Sequence, residues 1–163
     1  IAQGTHQAFH PGRTAQLRTQ DGQTIGYAGE LHPKLLQTEN LPERTCAFEV
    51  NFTELFASRS GVPQASPIYG YPAATQDVAL VVDENIPASE VAQALRDGAG
   101  ELLEDLRVFD DYRGQGVESG KKSLAFAMRF RAPDRTLTAE EASASREAAV
   151  AVAAERFGAV ARV

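Results

Sequence analysis

Residues 108–130 read "VFDDYRGQGVESGKKSLAFAMRF", and this stretch decides the fold. Its second part alternates strictly: Leu124, Phe126, Met128 and Phe130 fall on one side, and Ser123, Ala125, Ala127 and Arg129 on the other. A period of two marks a half-buried strand. The first part, with Phe109 between Asp110 and a preceding valine, reads as another strand. The glycines at 114, 116 and 120 place a hairpin loop between them.

Working outward, "DVALVVD" (77–83) is rich in β-branched residues and predicts a strand. "IPASEVAQALRDGAG" (86–100) predicts a helix with Pro87 near its start and Gly98 and Gly100 past its end. "TAEEASASREAAVAVAAERFG" (138–158) predicts a second helix, opened by a Thr138/Glu141 capping box and closed by Gly158. "AVARV" (159–163) is a last short strand. The order β-α-β-β-α-β is that of an α+β, ferredoxin-like domain, with two helices on one face of a four-stranded antiparallel sheet. Val78, Leu80 and Val82 then face the helices. The opposite face is paved with small side chains and carries arginines at one end. Such an uncovered sheet suits an extended polyanion such as single-stranded RNA, and suits a packed protein surface equally well.

Before this domain, "SRSGVPQASPIYGYP" (58–72) has no periodicity and reads as a linker, centred on 61–70. Upstream, "AQLRTQDGQTIGYAGEL" (15–31) predicts a hairpin at Asp21-Gly22, and "HPKLLQTEN" (32–40) a short helix. "RTCAFEVNF" (44–52) predicts a half-buried strand with Cys46, Phe48, Val50 and Phe52 on one face. This half is too small for a comfortable core and is expected to complete a larger sheet. The start at Ile1, straight into polar sequence, points to a piece of a longer protein.

Composition bounds the function. The chain has 163 residues, 43% hydrophobic and 23% charged, as in ordinary globular proteins. A single cysteine, Cys46, excludes an internal disulfide and fits a reducing cytoplasm. No apolar run approaches the roughly 20 residues of a membrane span. The net charge of −6 argues against general nucleic-acid affinity. Yet Arg107 to Arg135 holds seven bases against four acids, so positive charge is concentrated on one predicted strand pair.

Catalytic signatures are missing. Gly120-Lys121 has Gln115 where a phosphate loop needs its first glycine, Lys122 where it needs a hydroxyl, and a strand afterwards. His6, His10 and His32 make no metal set with one cysteine. Asp110 and Tyr112, two apart, share a strand face, and Phe109 is expected to point into the core. A tyrosine ring can stack on a base, and a carboxylate can accept from a base edge with two donors, as in guanine. Ordinary surface residues of an edge strand would show the same spacing.

The run "GKKSLAF…FR.PDRTLT.EE", with "FDDYRGQGVESGKKSLAF" (109–126) and "ERFGA" (155–159), resembles the ferredoxin-fold anticodon-binding domain of bacterial phenylalanyl-tRNA synthetase β subunits. "FHPGRTA" (9–15), "IGYAGELHP" (25–33) and "FEVNFTELF" (48–56) resemble the end of the preceding, non-catalytic class II synthetase-like module of that family. The resemblance implies 1–60 as that partial module, 61–70 as linker and 71–163 as the anticodon-binding domain. It implies a cytoplasmic (αβ)₂ ligase that joins phenylalanine to tRNA-Phe with ATP and magnesium in the α subunit, and no catalytic, metal or cofactor residue in this chain. It places the contact to the guanine of the anticodon stem-loop on Asp110 and Tyr112. Arg113, Arg129, Arg131 and Arg135 become candidate phosphate contacts by charge and face. Relatives carry an arginine before the first-strand aspartate, where this chain has Gln76 after Thr75. The competing readings are a bracing module with no RNA contact, and a small acyl-phosphate-type enzyme, for which the 114–120 loop lacks an asparagine.

Overall fold

Side-chain alternation in 74–83 and 121–130 is satisfied by an antiparallel pair in full register, from Ala74 opposite Phe130 to Asp83 opposite Lys121. The computed structural model describes residues 1–19, 21–58, 65 and 70–162, in two compact units, Ile1–Ala65 and Ser66–Val163. Most of the expected linker lies outside the described residues.

The first unit contains β1 (Ala2–Gln3), β2 (Phe9–Arg18), β3 (Thr24–Leu31), α1 (Pro33–Thr38), β4 (Cys46–Val50) and α2 (Phe52–Ala57). The strands form an antiparallel sheet in the order β1-β2-β3-β4. The His32 imidazole accepts from the Lys34 amide and so caps α1, with Pro33 at its first position. The expectation of a half-buried β4 needs correction. Phe48 is 75% exposed, and Phe52 is exposed at the start of α2 rather than continuing the strand. Among the described residues no element of this unit packs over that side. Among the described residues of this unit, Phe9 and Thr14 are the only buried side chains of any size.

The second unit contains β5 (Ala74–Asp83), α3 (Ala88–Ala99), β6 (Leu103–Tyr112), β7 (Lys121–Phe130), α4 (Ala139–Phe157) and β8 (Val160–Ala161). Its sheet runs β6-β7-β5-β8, the ferredoxin-like order predicted from the sequence. Leu80, Val82, Leu124, Phe126, Met128 and Phe130 meet Val91, Leu95, Ala142, Ala149 and Ala153 in one core on the helix side of the sheet. The Thr138 hydroxyl accepts from the Glu141 amide, Glu141 reaches back to the Thr138 amide, and Gly158 ends α4 in the left-handed conformation.

Gly98 sits within α3 rather than past its end. A methyl there would lie 2.7 Å from Ala149 Cα and 2.8 Å from the Ala148 carbonyl oxygen, so glycine is what lets α3 and α4 touch backbone to backbone. A glycine near the end of a helical pattern reads as a stop. Here tertiary contact, not termination, explains it.

Candidate nucleic-acid interface

Among the described residues one face of the second sheet carries no helix, and the register tells which side chains stand on it. Residues paired across an antiparallel ladder share a face. Asp105 lies opposite Arg129, Arg107 opposite Ala127, Asp110 opposite Ala125, and Tyr112 opposite Ser123. β5 extends these rows: Thr75 beside Arg129, Asp77 beside Ala127, Ala79 beside Ala125, Val81 beside Ser123. From β8, Val160 pairs with Val81, and the Arg162 amide donates to the Ala79 carbonyl. Asp110, Ala125, Ala79 and Arg162 therefore form one row across the sheet. At about 4.8 Å per strand it spans roughly 14 Å.

The ladder of β6 is interrupted twice, between Leu103 and Asp105 and between Val108 and Asp110. The second bulge matters most. Leu106 is buried on the helix side, so unbroken alternation would carry Asp110 and Tyr112 to that side as well. The bulge leaves Phe109 without a ladder partner and returns Asp110 and Tyr112 to the open face. Phe109 does not enter the core as its spacing suggested; it is 53% exposed. Its edge position, with β7 on one side only, leaves room for the extra residue.

Tyr112 is held from two directions. Its hydroxyl donates to the Gln115 carbonyl at 3.3 Å. The Arg162 guanidinium, reaching across the small side chains of the face, lies 5.3 Å from the ring centroid. This is a cation–π distance. Sequence reasoning did not find Arg162, because only the strand order brings the last residues across from Tyr112.

The candidate phosphate-binding arginines are all ion-paired. Arg129 and Arg131 share the two oxygens of Glu104, the residue extruded by the first bulge. The hydrogen bond from Arg131, joined by Arg129, holds the Glu104 carboxyl below its usual range. Arg131 also donates to the Tyr71 carbonyl, and its side chain is only 12% exposed. Arg113 pairs with Asp111 at 2.8 Å. Arg135 bridges Glu141 and Asp134, and Glu141 raises its pKa further above the usual guanidinium value. Gln76 points to the helix side, where its amide nitrogen donates to Ser143 Oγ at 3.0 Å, so it offers nothing to the open face.

The electrostatics of the face follow. Asp77, Asp105 and Asp110 share the face with Arg107, Arg129 and Arg162, so acids and bases are interleaved across it. A base edge presenting donors would be attracted. Among the described residues no three His, Cys, Asp or Glu side chains converge as a metal site. A concavity of about 580 Å³ lies in the first unit around the Glu30 pairs with Arg13 and Arg44. None of the candidate residues lines it. No helix among the described residues is long and apolar enough to cross a membrane.

Residues 70–162 match the family model described as the ferredoxin-fold anticodon binding domain. Residues 1–52 match the phenylalanyl tRNA synthetase beta chain CLM domain. The chain is 54% identical to a phenylalanine–tRNA ligase beta subunit of Streptomyces avermitilis, over 99% of this chain and 20% of the relative. It is 52% identical to that of Leifsonia xyli subsp. xyli over 98% of this chain and 19% of the relative. With the Thermobifida fusca protein it shares 54% identity over 94% of this chain and 19% of the relative. The chain thus spans about a fifth of the length of these relatives.

Proposed function

We infer the function of this chain from its family: it belongs to the ferredoxin-fold anticodon-binding family, in the form that phenylalanine–tRNA ligase β subunits carry. The domain 71–163 reads the anticodon stem-loop of tRNA-Phe, and 1–60 is the end of the preceding module, joined through 61–70. The larger enzyme, a cytoplasmic (αβ)₂ assembly, joins phenylalanine to the tRNA with ATP and magnesium in its α subunit. This chain contributes recognition and makes no bond itself.

The observation that carries the reading is the bulge that sets Asp110 and Tyr112 together on a face floored by Ala125 and Ala79. Guanine presents two N–H donors on its Watson–Crick edge, and the two oxygens of Asp110 can accept both. Adenine presents an acceptor where guanine has its ring N–H, and that acceptor would face a carboxylate. Alanines beneath let a base settle close to the strands. Tyr112 supplies a stacking ring, and Arg162 supplies a second plane, since guanidinium groups stack on bases as they do on aromatic rings. The Asp110 carboxylate favours a base edge over a phosphate at its own position. Phosphates are left to the rim, where Arg113, Arg129, Arg131 and Arg135 would exchange a carboxylate for a phosphate oxygen. Arg131, the most enclosed, is the least suited to do so.

The test is binding of a labelled tRNA-Phe anticodon stem-loop to the assembled enzyme, beside the same RNA with adenine as first anticodon base. Asp110→Ala should weaken guanine binding by about 1–3 kcal/mol and erase the preference. An unchanged preference would favour the bracing module.

A further inference from the structure

We infer that Gly114 is a positioning residue for Tyr112: its missing side chain is the seat in which the ring rests. The inference rests on the base-reading role of Tyr112. A β-carbon built on Gly114 would lie 2.6 Å from Tyr112 Oη and 2.8 Å from Cζ, well inside van der Waals contact. No backbone atom or other residue stands as close. Tyr112 thus folds back over the loop that follows it, with its hydroxyl on the Gln115 carbonyl and its ring against bare backbone at Gly114.

Conformation does not explain this glycine. Gly116 and Gly120 in the same loop have φ of +86° and +80° and need glycine for that reason, whereas Gly114 lies outside the left-handed region. Alanine fits its backbone. The atoms in the way belong to the free end of an exposed side chain. A methyl there therefore turns the ring out of its seat rather than opening the sheet. Turning the ring also breaks its register with Arg162, whose guanidinium stands 5.3 Å from the present centroid. The stacking platform would persist in composition and lose its place.

A double-mutant cycle in the assembled enzyme tests this, reading stem-loop dissociation constants and melting temperatures. Tyr112→Ala should weaken binding roughly 5- to 150-fold, the range for loss of one base–aromatic stack. Gly114→Ala should fall in the same range with an unchanged melting temperature. In the Tyr112→Ala background the Gly114→Ala change should shift binding less than about twofold, because nothing remains to displace. Gly114→Ala binding like the parent while Tyr112→Ala binds weakly would overturn the inference and leave the base-reading role standing. Equal losses in both backgrounds, or a lowered melting temperature that persists in the double variant, would assign Gly114 to the loop backbone and overturn it too. Parent-like binding by Tyr112→Ala would sink the base-reading role and the inference together.

Discussion

Gly98→Ala sets two well-known effects against each other. Alanine is favoured over glycine inside a helix by about 0.5–1 kcal/mol, and Gly98 lies within α3. Against this, the added methyl would meet Ala149 Cα at 2.7 Å, the Ala148 carbonyl oxygen at 2.8 Å and Val152 Cγ2 at 2.9 Å. Comfortable carbon contacts lie near 3.5–4.0 Å, so α3 and α4 must separate by the better part of an ångström. Only Val152 can step aside by itself; the other two atoms are main chain. Overpacking of this kind costs about 1–3 kcal/mol, which exceeds the propensity gain. The expected net loss is about 0.5–2 kcal/mol, or several degrees in melting temperature for a domain of this size. Far-UV circular dichroism is the assay, since α3 and α4 supply most of the helix in the chain. A melting temperature raised by Gly98→Ala would refute the reasoning, for it would mean that the helices part at negligible cost.

Thr138→Ala removes the capping box of α4 and should cost about 1 kcal/mol, seen as a lower urea midpoint with unchanged slope. Acid should destabilise the second unit through Glu104 and Glu141. Arg131 and Arg129 lower the Glu104 pKa, and the Thr138 amide and then Arg135 lower that of Glu141. A depressed pKa gives stability that is full above the ordinary 4.5 and is lost as pH falls through the lower folded value. Melting temperature should therefore hold steady down to about pH 5, decline below about 4.5, and decline less in Glu104→Gln; a decline already complete by pH 5 would contradict this. Phe48→Ser, at a side chain 75% exposed, should change stability by less than about 0.5 kcal/mol; a larger loss in urea unfolding would show that the ring is covered.

Much of this was legible in the chain, for physical reasons. Alternation in β7 is unbroken because it is a central strand with one buried face, and its register carries β5 with it. The ends of α4 are written in short-range chemistry, a threonine, a glutamate and a glycine. What escaped depends on neighbours distant in sequence. The bulges of β6 lie on an edge strand, the first where Arg129 and Arg131 grip Glu104, and nothing within 103–112 announces either. Arg162 meets Tyr112 only because β8 and β6 form opposite edges of the same sheet. Phe48 and Phe52 showed the period of a buried strand, but no layer of their own unit covers them among the described residues. Arg113, Arg129, Arg131 and Arg135, counted as free by charge, are each matched to an acid, and a tally by segment could not see the pairing.

The second bulge of β6 has a consequence for tolerance to length change. Phe109 is counted by the chain and skipped by the hydrogen-bond ladder, since Val108 opposes Phe126 and Asp110 opposes the very next residue, Ala125. Removing a residue from a strand ordinarily swaps the faces of everything beyond the cut. Here, a chain lacking Phe109 would close the ladder into regular pairing, with Asp110 still opposite Ala125 and Tyr112 still opposite Ser123. Loss of Val108 instead would let Phe109 take its place opposite Phe126, with the same register beyond. At this bulge a codon can vanish and the reading face survive.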